Sequence, residues 1–346
     1  MKIGVAMSGG LDSTVTAAML QEQGHRVTGY FMLLPVPHPE DVHDRARRAA
    51  AHLGIPLHEV DMRQRFSDRV IRPFVETYGA GRTPNPCARC NPLIKFGALR
   101  LRILGDGNEK MATGHYARLT MEGPTPQLRR GVDSGKDQSY FLGRLSSEEL
   151  ADVLLPLGDF TKEQVRNWAR RRHLPGGEAD ESQDVCFLAG RSLATFLGEH
   201  GLDDEEGEVI TADGRVIGRH RGIFRYTIGQ RRGLGLPDIT PWYVKELNAR
   251  RNRVVVCKKE DLFSRRLYLT RMHYTGRPLK FPWQGRVQIR SRHPAAGATV
   301  TVTGRDSCRV LFAEPQPAIT PGQLAVLYDD DRVVGSGEID DHHECQ

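Results

Sequence analysis

Two short segments carry residue types that could do chemistry. The first is Ser8-Gly9-Gly10-Leu11-Asp12-Ser13, entered from Lys2-Ile3-Gly4-Val5-Ala6-Met7. The entering piece reads as a buried strand, and Ser13-Thr14-Val15-Thr16-Ala17-Ala18-Met19-Leu20 reads as a helix closed by Gly24. A glycine pair on a strand-to-helix turn lets the backbone approach a ligand closely, and the free N–H groups at the helix start receive an anion. Ser8 and Ser13 add hydroxyls, and Asp12 offers a hard oxygen ligand to a Mg²⁺ ion carried by phosphates. The same spacing occurs by chance before ordinary helices, so the strand–turn–helix context carries the reading. No Walker A loop is present: Gly131 to Asp137 has Gly135-Lys136 but the wrong glycine spacing. No GxGxxG follows a strand, which argues against a dinucleotide fold.

The second segment is Thr83-Pro84-Asn85-Pro86-Cys87-Ala88-Arg89-Cys90-Asn91, a proline-rich stretch read as a loop, followed by Leu93-Ile94-Lys95-Phe96. A third cysteine sits in Asp184-Val185-Cys186-Phe187. A lone CxxC is compatible with a redox pair, half a zinc site, cluster ligands or coincidence. Structural zinc takes four protein ligands, and no second pair matches the first. Cys257 falls in a strand pattern and reads as a small core hydrophobe, while Cys308 and Cys345 carry no motif.

The elements that must position these groups alternate over the first 120 residues. Strands are expected at His25 to Met32, Ile55 to Met62 and Lys110 to Ala117, with helices at Glu40 to Leu53 and Gln64 to Tyr78. Such alternation predicts an α/β fold, a doubly wound parallel sheet with ligands at the strands' carboxyl ends. Ser8-Gly9-Gly10 and Thr113-Gly114-His115-Tyr116 both fall at such ends. Met32 falls at another and could cover an adenine, although composition alone favours core packing. Helices continue at Ser146 to Leu150 and Thr161 to Arg172. After Asp203-Asp204-Glu205-Glu206 the texture changes to short strands broken by Gly, Asn, Asp and Pro, which predicts small β domains or a barrel. The expected units are 1–204, 205–265 and 266–346.

With 346 residues, 39% hydrophobic and 27% charged, the composition is that of a globular protein of two or three domains. No apolar run approaches the ~20 residues of a membrane helix, so no membrane partner is expected. The start reads as a core strand rather than a secretory signal. A cytoplasmic setting follows, with its six cysteines mostly reduced thiols, metal ligands or catalysts. A net charge of +6 is compatible with a polyanionic partner without requiring one.

The first loop resembles the SGGxDS motif of the PP-loop ATP pyrophosphatases, which cleave ATP between the α- and β-phosphates and place AMP on a substrate oxygen. Nearly end to end, the chain resembles the bacterial tRNA-specific 2-thiouridylases, the MnmA/TrmU family. The resemblance runs through Ala6 to Ser13, Thr83-Pro84-Asn85-Pro86, Cys90-Asn91, Ile94-Lys95-Phe96 and Ala112-Thr113-Gly114-His115-Tyr116. It continues in Lys136-Asp137-Gln138-Ser139-Tyr140-Phe141-Leu142, Cys186-Phe187, Thr227 to Gly235, Pro241-Trp242-Tyr243-Val244 and Pro321-Gly322-Gln323.

The resemblance implies an enzyme that replaces O2 of wobble uridine 34 with sulfur. The targets would be the anticodon stem-loops of tRNAs reading Lys, Glu and Gln codons. ATP and Mg²⁺ would be used, with a small central β-rich domain and a C-terminal β-barrel on the tRNA side. It implies ATP contact from Ala6 to Ser13, Met32 and Gly114. Asn85, Pro86 and Cys87 would border the target base. Lys136, Asp137, Gln138, His115, Arg290, Ser291 and Gln323 would meet the tRNA, and Arg292 continues the Arg290-Ser291 stretch. Cys186 would carry a persulfide from a cysteine desulfurase relay, and Cys90 would attack it, releasing the sulfur or closing a disulfide. Lys95 and Arg89 are candidates to lower the thiol pKa values, with surface charge the plainer role for Arg89. Arg170 to Arg172 and Arg231-Arg232 suit phosphate contact or a solvated face.

One departure stands out: the family has Asp at the position of Cys87, and a thiol with pKa ~8.5 does not replace a carboxylate. Cys87, Cys90 and Cys186 together resemble the three ligands of a [4Fe–4S] cluster in other sulfur-transferring PP-loop enzymes. An open fourth iron would there take free sulfide.

Overall fold

The computed structural model describes residues 1–175, 185–276 and 279–341. Asp184 and Cys345 lie outside them. The N-terminal sheet is built from β1 (Lys2–Ala6), β2 (Arg26–Leu33), β3 (Leu57–Asp61), β4 (Lys110–Ala112) and, beyond them, Val153–Leu154. Its order is β3-β2-β1-β4 and then Val153–Leu154, with every pairing parallel. The chain therefore winds outward in one direction from β1 and returns on its other side at β4. The crevice between the carboxyl ends of β1 and β4 is the topological switch point, where such sheets bind ligands.

Helix α1 (Leu11–Glu22) follows β1, and α2 (Pro39–Leu53) follows β2. Leu11, Val15 and Met19 on α1 pack with Tyr116, Leu157, Val165 and Ala169, so α1 is clamped against the helix Lys162–Arg171. That helix begins in a capping box of Thr161 and Gln164, which satisfies two free N–H groups at its start.

Two expectations change here. The strand expected at Lys110 to Ala117 ends at Ala112. The chain leaves the sheet at Thr113, and Ala117–Glu122 (β5) begins a hairpin with Thr125–Arg130 (β6). The stretch around the cysteines is not a loop. Asn85 accepts from Ala88 N at 3.1 Å, and Pro86 occupies the first turn of Pro86–Cys90. The turn continues as a wide π-wound segment Asn91–Leu99 and then α-helix Arg100–Gly105. Pro92 lacks an N–H and would crowd the carbonyl four residues back. Wider winding accommodates it without ending the helix. Pro73 is accommodated likewise, after the π-wound turn Ser67–Ile71.

Val153–Leu154 is β7. Next come β8 (Gly207–Thr211), β9 (Val216–His220), β10 (Tyr243–Asn248) and β11 (Arg253–Cys257), ordered β10-β11-β8-β9. The last sheet holds β12 (Phe263–Tyr274), β13 (Trp283–Gln288), β14 (Ala296–Gly304), β15 (Ser307–Pro317), β16 (Leu324–Asp329) and β17 (Arg332–Asp340). Its order is β12-β15-β14-β13-β16-β17, and β12 also pairs with β17, so six strands close into a barrel. Closure removes open edges, and Leu267, Leu269, Val287, Val300, Val310, Leu327 and Ile339 fill the interior. The β5–β6 hairpin joins the barrel through Arg129 opposite Arg332. Asp331 locks the join, accepting from Arg118 at 2.6 Å and Arg129 at 2.5 Å.

Candidate active site

The loop Ser8–Gly10 sits at the switch-point crevice. Gly9 has φ +73°, and a Cβ there would lie 2.4 Å from the Ala46 backbone nitrogen of α2, so only glycine fits. Gly114, after β4, packs against the first turn of α1, where a Cβ would fall 2.8 Å from the Asp12 carbonyl carbon. The two loops therefore meet. Gly10 caps α1 without a side-chain hydrogen bond, and Thr14 N returns to Gly10 O at 3.2 Å. Ser13 Oγ donates to Gly10 O at 3.0 Å and lies 3.3 Å from Ser8 Oγ. The loop is thus preset, with helix-start N–H groups and two hydroxyls converging beside a glycine backbone. These donors suit a phosphate chain.

Asp12 is engaged differently from the expectation. Lys162 Nζ donates to both its oxygens, at 2.7 and 2.9 Å, and Tyr116 OH donates to Oδ1 at 2.8 Å. Lys162 is 7% exposed. A carboxylate neutralised in this way does not fit a direct Mg²⁺ ligand. Sequence reading missed Lys162. Its one sequence signal is its place directly after the Thr161 cap.

Met32 packs against the core cluster that contains Tyr30 and Phe66. His115 is buried: Nδ1 lies 2.8 Å from Thr113 Oγ1 and Nε2 3.4 Å from Lys95 Nζ. Burial, with Lys95 adding to it, holds its pKa well below the usual imidazole value. The ring is neutral, Nε2 accepts from the Lys95 ammonium, and Nδ1–H is donated to Thr113. Lys95 is thereby fixed between the nucleotide crevice and the thiols.

The three cysteines lie on the far side of Lys95. All are free thiols; Cys87 and Cys186 are exposed and Cys90 is partly buried. Both elements that carry them are anchored in one core. Cys90 and Val185 pack on the cluster holding Phe66, Phe74, Phe187 and Phe196. Phe187 meets Phe74 and Phe196 at ring-centroid distances of 5.1 Å each. Burial pushes Cys90 up to about 12, with Cys186 and Cys87 adding to the rise and Lys95 opposing it. Burial pushes Cys186 up to about 11, with Cys87 adding and Lys95 opposing. Cys87 is raised by burial against the same lysine. Thiols that reach solvent and yet are crowded by protein line a recess.

Each thiol feels Lys95, and Cys90 feels both of the others, so the three cysteines share one electrostatic neighbourhood. Among the described residues, however, no three His, Cys, Asp or Glu side chains form a group that could hold a metal ion. The donors are of the right kind for an iron–sulfur cluster, but they are not arranged as its ligands.

A model described as the tRNA methyl transferase HUP domain matches residues 1–190. The tRNA methyl transferase PRC-barrel domain matches 194–258, and the aminomethyltransferase beta-barrel domain matches 264–339. The tRNA-specific 2-thiouridylase MnmA of Syntrophotalea carbinolica is 44% identical over 97% of each chain. Those of Pelobacter propionicus and Desulforudis audaxviator are 43% identical over 98% of this chain and 97% of theirs, and 45% identical over 97% and 98%. The chain belongs to the MnmA family of tRNA-specific 2-thiouridylases.

The residues expected on the family's tRNA side divide into two sets. Asp137 is interior: its carboxylate accepts from Arg130 at 2.8 Å, Gly131 N at 3.0 Å and Ser139 Oγ at 2.9 Å. Gln138 Oε1 accepts from Tyr116 N at 3.0 Å. Gln323 Nε2 donates to the carbonyls of Thr83 and Pro84, at 3.0 and 3.2 Å, tying the barrel to the segment that leads into Asn85, Pro86 and Cys87. Lys136, Arg290 and Ser291 retain exposed or half-exposed side chains. Gln288 orders the last two by donating to both their carbonyls. The geometry thus gives Asp137, Gln138, His115 and Gln323 definite jobs inside the protein.

Proposed function

We propose that this protein makes 2-thiouridine at the wobble position of tRNAs reading Lys, Glu and Gln codons, using ATP to activate O2 and a cysteine persulfide to replace it. The carrying observation is the adjacency of two differently built sites: a phosphate-receiving loop at the β1–β4 crevice, and a three-thiol recess joined to it through Gly114, His115 and Lys95. A methyl transfer, which the names of two matching domain families suggest, has no use for thiols beside a nucleotide loop.

In this reading Ser8, Ser13 and the α1 start hold the α-phosphate region, and uracil O2 attacks the α-phosphorus. Pyrophosphate leaves, and the uridine carries AMP on O2. A donor persulfide of the desulfurase class passes its outer sulfur to Cys186, leaving a donor thiolate. The Cys186 persulfide attacks C2, and AMP departs with the former O2. Cys90 then attacks the Cys186 sulfur, forming a Cys90–Cys186 disulfide and freeing the thiocarbonyl. A dithiol reductant restores both thiols. Lys95 stabilises each thiolate in turn, because it is the cation that pulls all three thiols down. Cys87 stands where relatives have Asp and borders the base without titrating as an acid near neutrality.

The expected units 1–204, 205–265 and 266–346 would supply chemistry, a connecting tRNA surface and a barrel that closes on the anticodon arm. Reduced thiols and a tRNA substrate fit a cytoplasmic protein. No helix among the described residues is long and apolar enough to cross a membrane.

The test is nucleoside mass analysis of a lysine tRNA transcript incubated with the enzyme, Mg-ATP and a persulfide donor. ATP-dependent 2-thiouridine that disappears with Cys186→Ser supports the reading. Thiolation that proceeds without ATP, or survives that change, overturns it.

A further inference from the structure

Four arginines from four separate segments meet where the α/β unit abuts the barrel. Arg89 lies between Cys87 and Cys90, and its Nε donates to the Arg69 carbonyl at 2.6 Å. Arg144, just after the short helix Ser139–Leu142, donates to the Arg271 carbonyl at 3.2 Å. Arg271 sits at the irregularity of β12 between Thr270 and His273, with φ +51°. Its side chain is 66% exposed, with Nη1 2.7 Å from Glu338 Oε2.

Arg89 and Arg144 are each held by a side chain gripping a neighbour's backbone, while the Arg271 guanidinium is held by Glu338. Glu338 also serves Arg82, at 3.6 Å. Burial and their mutual charge hold Arg89 and Arg144 below the ordinary arginine value, and only Glu338 and Glu76 oppose this for Arg89. Among the described residues, four guanidiniums beside two carboxylates leave an excess of positive charge there. Planar forks fixed in this way match phosphate oxygens.

We propose that Arg89, Arg144 and Arg271, with Arg69 behind them, form a binding site for the RNA backbone phosphates flanking the nucleotide whose base enters the thiol recess. The site rests on the thiolation reading, which puts that nucleotide beside Cys87. Contacts of this kind set affinity and register without reading sequence. The same charge could receive an acidic sulfur-donor protein. The position of Arg89 inside the CxxC turn, bordering the base rather than an outer face, favours the RNA.

The experiment is a salt series of binding by an unmodified lysine tRNA transcript to wild type, Arg144→Gln, Arg271→Gln, Arg144→Lys and Glu338→Gln. Each Arg→Gln change should weaken binding about tenfold and flatten the log–log salt slope by about one. Arg144→Lys should keep most of the slope, and Glu338→Gln should tighten binding. Opposite signs separate lost charge from lost fold. Unchanged affinity and slope in both Arg→Gln variants, beside a wild type that binds and thiolates, overturn the phosphate site alone. The same holds if only turnover with a protein sulfur donor slows, since the cluster then receives that protein. A wild type that binds no transcript overturns the thiolation reading as well.

Discussion

The nucleotide crevice and the thiol recess share one short bridge but follow opposite electrostatic plans. At the crevice the working groups are charged and already paired: Asp12 holds Lys162 and Tyr116, and the helix-start donors face outward from a loop that α2 fixes. In the recess the thiols are raised by burial, and among the described residues Lys95 is the cation that pulls down all three. The first plan suits a substrate that brings its own charge. The second suits a sulfur held as a neutral thiol until its proton is drawn off. It follows that damage to one site should leave the other measurable.

The sharpest break is Cys90→Ser. Loss of a nucleophile should lower thiolation by ~10³-fold or more, while tRNA-dependent ATP–pyrophosphate exchange continues. Exchange and thiolation falling together would mean that the two sites are not separable. On the crevice side, Lys162→Met leaves Asp12, among the described residues, with the Tyr116 hydroxyl as its side-chain partner. Exchange should fall ~10–100-fold, and stability should drop by ~1–3 kcal/mol, limited because Asp12 is one-third open to water. Thermal melting and exchange assays read both, and the alkylation rates of the thiols should stay unchanged.

The recess makes a pH prediction. A thiol whose pKa is raised stays protonated until the pH climbs toward that value, so reactivity must rise with pH. With Cys186 near 11 and Cys90 near 12, about one in a thousand and about one in ten thousand are ionised at pH 8. Iodoacetamide should modify Cys186 faster than Cys90, and both rates should climb ~10-fold per pH unit between pH 8 and 10. A plateau below pH 9 would refute the neutral-thiol description. Lys95→Met should slow both further at fixed pH. The smallest change is Cys87→Asp, which supplies the carboxyl that the family resemblance implies at this position. Thiolation should be retained or raised, and its abolition would contradict the persulfide route.

Much of the crevice was legible because its signals are local. A strand, a glycine turn and a helix lie consecutively in sequence, and alternation through β3 and β4 specifies a parallel sheet. Lys162 was not legible, since it reaches Asp12 across 150 positions. The helical state of Pro86–Cys90 was hidden by its prolines. Asn85 and Pro86 begin a helix there, although prolines usually mark a loop. The long strands β12 and β15 were missed because bulges and polar faces break their alternation. The β5–β6 hairpin was missed because its partner β17 lies some 200 residues onward, with Arg129 pairing Arg332. Residues expected on the RNA, such as His115 and Asp137, carry polar types that the fold uses internally. A motif gives chemical type, while burial decides whether that chemistry faces a ligand.

The central claim is that uracil O2 leaves as part of AMP before sulfur arrives at C2. A tRNA carrying ¹⁸O at O2 of the wobble uridine tests it directly, with the AMP analysed by mass spectrometry after one turnover. The account predicts one ¹⁸O atom in each AMP released and none in pyrophosphate. Label found in water or pyrophosphate, with unlabelled AMP, would contradict it.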